Sequence, residues 1–128
     1  MTPSEQNWMP SLRTMAMPAD ANANGDIFGG WLMSQMDLAS ASYAGKEAKG
    51  RVVTVAVDAM TFHKPVNVGD ELSCYCRVQK RGNTSISVHV ESWVTRHFSG
   101  GEEEMVTEGC FTFVAIDAKG HSRPITRF

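Results

Sequence analysis

In the stretch "NANGDIFGGWLMSQMD", residues 22–37, two glycines precede an apolar run that contains one aspartate, Asp37. From Ile27 to Gly45 there is no lysine or arginine, and the neighbours of Asp37 at helical spacing are Met33, Ser34, Ser40 and Ala41. A carboxylate with no cation to pair with is either an isolated surface charge or a group held in a cleft. The apolar surroundings favour the cleft, where burial without a cationic partner disfavours ionisation, the setting that a general base near neutral pH requires. Gly29 and Gly30 supply a complementary part. They lie where a helix begins, and the first amides of a helix lack internal acceptors and sit at the positive end of its dipole. A carbonyl oxygen set against such an amide would be polarised, and an oxyanion formed there stabilised by about 3 kcal/mol in comparable sites. Two helical turns, about 10 Å, separate Asp37 from these glycines. The spacing therefore calls for two copies of the chain whose facing helices lend each other the amide and the acid. Asp26 has an ordinary role as a turn residue or first-turn acid, and only the combination makes it a candidate.

The other chemistry-bearing residues are less suggestive. Cys74, Cys76 and Cys110 are odd in number and fit no disulfide framework, so reduced, buried thiols are expected. Cys74 and Cys76 would share one face of a strand, a possible half-site for zinc, but two further ligands are missing and no metal site is expected. His63, His89, His97 and His121 show no metal-ligand spacing, and none is assigned a role. No Gly-x-Ser-x-Gly elbow is present.

These residues must be positioned by a single domain, residues 1–128. Hydrophobic residues make up 42% and charged residues 20%, a globular composition, and a formal charge of -2 gives no reason to expect nucleic acid as a partner. No apolar stretch is long enough for a membrane span, and the N-terminus lacks the pattern of a signal peptide, so the cytoplasm is the expected compartment. After an extended start near "LRTMAM" and a turn-rich segment over 18–30, Leu32, Met36, Ala39 and Tyr43 fall at helical spacing, with Gly45 as the stop signal. Downstream the period changes to two. "RVVTVAVDAM" sets Val53, Val55 and Val57 against Thr54, Ala56 and Asp58; "ELSCYCRVQ" points Leu72, Cys74, Cys76 and Val78 one way; "TSISVHVESWV" does the same with Ile86, Val88 and Val90; and "MVTEGCFTFVAI" is a last long strand. Short turns make neighbouring antiparallel strands, and the only helix must be covered by their sheet. An α+β hotdog fold is expected: a long five-stranded antiparallel sheet wrapped around one central helix, with edge-to-edge pairing of two subunits.

The blocks "MPADANANGDIFGGWLMSQMD" and "GRVVTVAVDAMTFHKPVNVGD", with the later "CFTFVAID" and "SRPI", closely resemble the acyl-CoA thioester hydrolases of the YciA type, over residues 13 to 125. The resemblance implies hydrolysis of acyl-CoA to a free acid and CoA, without metal or organic cofactor, in a homodimer assembled further into a hexamer, a trimer of dimers. It places Asp37 at the catalytic carboxylate, as general base or nucleophile, and Gly30 at the amide facing the thioester oxygen. Asp26 stands where some relatives carry an asparagine, and Phe28 where many carry a histidine, so no imidazole is invoked there. Asn24 and Gly29 are candidate substrate contacts beside them. CoA carries phosphates, for which Lys64 and the turn residues Lys80, Arg81, Asn83 and Ser85 are candidate donors. Met33 and Met36 are candidates to line a pliable acyl pocket. Two rival readings are a hotdog dehydratase, against which Phe28 argues, and a non-catalytic acyl-CoA binder or sensor, which would leave the unpaired Asp37 without a purpose.

Overall fold

A computed structural model describes residues 1–96 and 100–125, and His97 lies outside them. Strand β1 (Leu12–Met15) and a 3-10 turn (Pro18–Asp20) lead to helix α1 (Gly29–Ala48), followed by β2 (Val52–Phe62), β3 (Glu71–Arg81), β4 (Ser85–Thr95) and β5 (Glu103–Ala115). The strands form one antiparallel sheet in the order β1-β3-β4-β5-β2, curled around α1 as expected for a hotdog. The helix buries Leu32, Met36, Ala39, Ser40, Ala44 and Ala48 against Leu72, Ile86, Val88, Val90, Phe111 and Phe113. Its small residues let the sheet approach the helix closely, as dense core packing requires. Ala44 rather than Tyr43 completes the buried stripe, and Tyr43 is half-buried at its edge.

Four local expectations are corrected. The helix does not stop at Gly45 but runs to Ala48, where Lys49 takes the left-handed conformation (φ 55) and the Gly50 amide donates back to the Gly45 carbonyl. The Arg123 guanidinium secures this end by donating to the Ala48 and Ile116 carbonyls. Second, β2 and β3 are not neighbours. The segment 63–70 crosses the end of the sheet, so β2 pairs with β5 and becomes an edge. Third, β3 is buried on both faces from Leu72 to Cys76, because Trp8 and Arg13 of the N-terminal segment cover Ser73 and Tyr75. Fourth, β2 buries neither face: Val53, Val55 and Val57 are exposed in the protomer.

All three cysteines are buried as free thiols, and the described residues contain no group of ligands that could hold a metal ion. Burial pushes the Cys74 thiol up to about 11 and the Cys76 thiol to about 12. At pH 8 fewer than about one in a hundred of either is thiolate, the reactive form. The native protein is therefore expected to leave Cys74 and Cys76 unmodified by an aromatic disulfide reagent, with reaction appearing on addition of guanidinium. Rapid modification of either in the native state would contradict their burial.

Candidate active site

The helix starts without a side-chain cap. Phe28 is the N-cap residue, its side chain makes no capping hydrogen bond, and the first intrahelical bond runs from the Leu32 amide to the Phe28 carbonyl. Among the described residues, the amides of Gly29, Gly30 and Trp31 have no acceptor. The two glycines serve different ends. A Cβ at Gly29 would rest 3.5 Å from the Phe62 ring, whereas one at Gly30 would meet nothing within 4 Å. Gly30 therefore faces open space, and a polar group of another molecule can reach its amide.

Seven residues further along the same face lies Asp37. Met36 beside it is fully buried and Leu38 is 60% exposed, which sets Asp37 at the margin of the core, half-buried. Its carboxylate Oδ1 accepts a hydrogen bond of 2.7 Å from the Thr54 hydroxyl on β2. Gly30, Met33, Ser34 and Asp37 from the helix and Thr54, Val57 and Phe111 from the sheet line a groove of about 300 Å³. In this groove the acid has an oriented hydroxyl on one oxygen and an apolar floor beneath. The Ser34 hydroxyl is engaged elsewhere, donating to the Gly30 carbonyl at 2.9 Å.

Thr54 was missed by strict alternation, which puts it opposite Val57. Thr54 pairs with Phe113 and Val57 with Phe111, so three steps on β2 match two on β5. A bulge at Val55 takes up the extra residue and turns both Thr54 and Val57 toward the helix. A second irregularity falls between Asp58 and Thr61, where Ala59 has a φ of 50. A threonine in a valine-rich strand carries no signal of such a bulge.

The other candidates fall into three places. Asn24 and Asp26 are exposed on the loop before the helix, whose turn is held by the Asn22 side chain accepting the amides of both. Asp26 also bridges to Asn67, and the Ile27 amide donates to the Val66 carbonyl, so the helix start is fastened to the segment 63–70. Gly29 and Lys64 line a second cavity, of about 250 Å³, with Phe28, Leu32, Phe62 and Val66. The Lys64 ammonium pairs with Glu104 at 2.9 Å and keeps about half its surface exposed. Lys80, Arg81, Asn83 and Ser85 sit at the β3–β4 turn beside the far end of the helix, where Arg81 is paired with Glu47. Within one protomer they are not brought to Gly30. Met33 lines the groove, but Met36 is fully buried in the core and does not. His89 lies on the outer face of the sheet, paired with Glu91 at 3.2 Å, and His63, just after β2, lines the cavity at Gly29 and pairs with Glu108 at 2.8 Å.

Residues 24–96 match the sequence model of the thioesterase superfamily. The acyl-CoA thioester hydrolase YciA of Salmonella typhimurium is 57% identical over 116 residues, which cover 89% of this chain and 87% of that protein. Among solved structures, a hexameric broad specificity acyl-coenzyme A thioesterase superposes with a TM-score of 0.90 at 53% identity, covering 94% of this chain and 88% of that one. The hexameric thioesterase y2039 from Yersinia pestis does so with a TM-score of 0.89 at 53% identity, covering 95% and 98%.

Proposed function

Because the chain belongs to the thioesterase superfamily, we propose that it hydrolyses acyl-CoA to a carboxylic acid and CoA, with Asp37 as general base or nucleophile and the Gly30 amide as oxyanion donor. The observation that carries this reading is a groove in which an acid held by Thr54 shares one helix face with an open amide. With Oδ1 engaged by Thr54, Oδ2 is left to act. As a base it takes a proton from water as the oxygen adds to the thioester carbon, and the new oxyanion rests on the Gly30 amide brought up by a second copy of the chain. Collapse expels the CoA thiolate, which recovers the proton from Asp37. Thiolate is a good leaving group, so this sparse apparatus suffices without a metal, an organic cofactor or a Ser–His pair.

Edge strand β2 supports the assembly of this site from two copies. Gly29 lies against Phe62, near one end of the strand, and Asp37 against Thr54, near the other. If β2 pairs with itself about a dyad near Asp58, Thr54 stands opposite the partner's Phe62. Asp37 of one copy then faces the helix start of the other, and Val53, Val55 and Phe62, exposed in the protomer, are covered. Asn24 and Asp26 of the loop before the helix would orient water or the carbonyl from the partner's side. Lys64, Lys80, Arg81, Asn83 and Ser85 are the proposed donors to CoA phosphates, and the dimers would assemble in threes, in the cytoplasm.

Release of free thiol from a panel of acyl-CoA substrates tests the activity. Binding without release would identify a sensor instead. Thr54→Val keeps the shape of the side chain and removes the hydroxyl. It is expected to lower kcat about tenfold, the kinetic equivalent of one charge-assisted hydrogen bond, with KM little changed. An unchanged kcat would remove Thr54 from the mechanism.

A further inference from the structure

The amide proposed to receive the oxyanion stands between two spaces. Gly30 lines the groove at Asp37, and Gly29, the residue before it, lines the cavity of about 250 Å³. Their walls differ in chemistry. Beside its apolar floor the groove carries a carboxylate and two hydroxyls, those of Asp37, Thr54 and Ser34. The cavity is apolar at its base, where Ile27, Leu32 and Val66 are each less than a tenth exposed, and at its mouth, where the Phe28 and Phe62 rings are about half exposed. Its two ionisable side chains, His63 and Lys64, stand at the rim, hydrogen-bonded to Glu108 and Glu104.

We infer that the cavity at Gly29 holds the acyl chain, and that Val66 at its buried base is a specificity-determining residue for chain length. The inference rests on the acyl-CoA reading above. A thioester carbonyl bonded to the Gly30 amide carries its acyl carbon on one side and its sulfur on the other, so the substrate spans both spaces. An acyl chain gains free energy where it leaves water without stripping water from polar groups. That condition selects the cavity. In the groove the chain would desolvate the Asp37 carboxylate and take the room that the attacking water needs. With β2 paired as proposed above, Thr54 and Asp37 of a second copy stand opposite Phe62, at the mouth of this cavity. One copy then holds the acyl chain and lends the amide, and the other supplies the acid. Each methylene that enters the cavity contributes up to about fourfold in affinity, until the chain meets Ile27, Leu32 and Val66 at the base.

The test titrates two non-hydrolysable thioethers, butyl-CoA and octyl-CoA, calorimetrically into the full-length wild type, Val66→Phe and Met33→Phe. Val66→Phe fills the base of the cavity, whereas Met33→Phe fills the groove. The first is expected to lower the preference for octyl over butyl by about tenfold or more, and the second to leave it unchanged. Val66→Met, an unbranched and adaptable filler should phenylalanine overpack the core, is expected to shift the preference the same way by less. A preference lowered by Met33→Phe, a preference unchanged by the Val66 substitution that folds, or a wild type that binds octyl-CoA no better than butyl-CoA overturns the assignment. Failure of the hydrolase reading is seen separately, as thioethers bound with the expected shift while no CoA is released from the matching thioesters.

Discussion

Asp37→Asn is expected to lower kcat for acyl-CoA hydrolysis by about 10²–10⁴, the usual contribution of a positioned general base or more, while leaving KM within a few-fold of wild type. Asparagine is nearly isosteric with aspartate, and its amide oxygen can still accept the Thr54 hydroxyl that bonds Oδ1 at 2.7 Å. The groove keeps its shape, and only the capacity to take a proton or attack carbon is lost. Asp37→Ala should be as slow and should also release Thr54. Thiol release under saturating substrate gives kcat, and its substrate dependence gives KM. Equal loss of kcat and of kcat/KM marks an interaction made only in the transition state. Hydrolysis retained by both variants would dismiss Asp37 as the reacting group, leaving the open Gly30 amide as the only part of the proposed apparatus still to be tested. The two roles open to Asp37 separate in a single turnover in ¹⁸O-water with enzyme in excess. Label found in the protein carboxylate marks a nucleophile whose anhydride water opens at the Asp37 carbonyl, whereas a base leaves all of it in the product acid.

Asp37 and the glycine pair stand out in the sequence as candidates because each is a local anomaly. Asp37 is an uncompensated charge in a run without a lysine or arginine, and Gly29–Gly30 is a pair that no turn at that point demands; Gly30 lacks a side chain where nothing in the protomer would oppose one. The helix, the long strands and their curl around it follow from periodicity, which depends on neighbours a few residues away. What could not be read depends on partners distant in the chain. Thr54 reaches Asp37 only because β2 takes an extra residue against β5, an event recorded in the match of two strands and not in either alone. The crossing of segment 63–70, which makes β2 an edge, resembles an ordinary connection until Asp70 is seen to meet Arg96. Gly45 misled because a glycine in a helical pattern is read as a stop, whereas here Lys49 takes the left-handed turn and Gly45 continues the helix.

The same pair of residues bears the largest expected effect on stability. Asp70 is 2% exposed, and its Oδ2 accepts 2.6 Å from the Arg96 guanidinium and 2.8 Å from the Asn67 amide. Arg96 in turn donates to the Pro65 carbonyl and to Glu104, which also receives Lys64. Desolvation opposes the charge on Arg96, but its bonds to Asp70 and Glu104 outweigh this and hold the guanidinium more firmly protonated than usual. Removing Asp70 leaves the Asn67 amide without its acceptor and Arg96, a fifth exposed, with only Glu104 to balance it, at a cost of about 3 kcal/mol. Asp70→Ala is therefore expected to lower the melting temperature by roughly 10–20 °C, measured against wild type at equal protein concentration because subunit association also stabilises the fold. Asp70→Asn keeps an acceptor for the Asn67 amide and should fall between the two. The Asp26–Asn67 bridge and the Ile27–Val66 bond tie the helix start to this segment, so the loss should reach Gly30 first. On heating the Asn variant, hydrolysis is expected to fail several degrees below the loss of far-ultraviolet circular dichroism. Coincident loss of both signals would mean that the brace supports the fold as a whole and not the oxyanion amide in particular, and melting temperatures within 3 °C of wild type for both variants would show that the buried pair does not hold the segment at all.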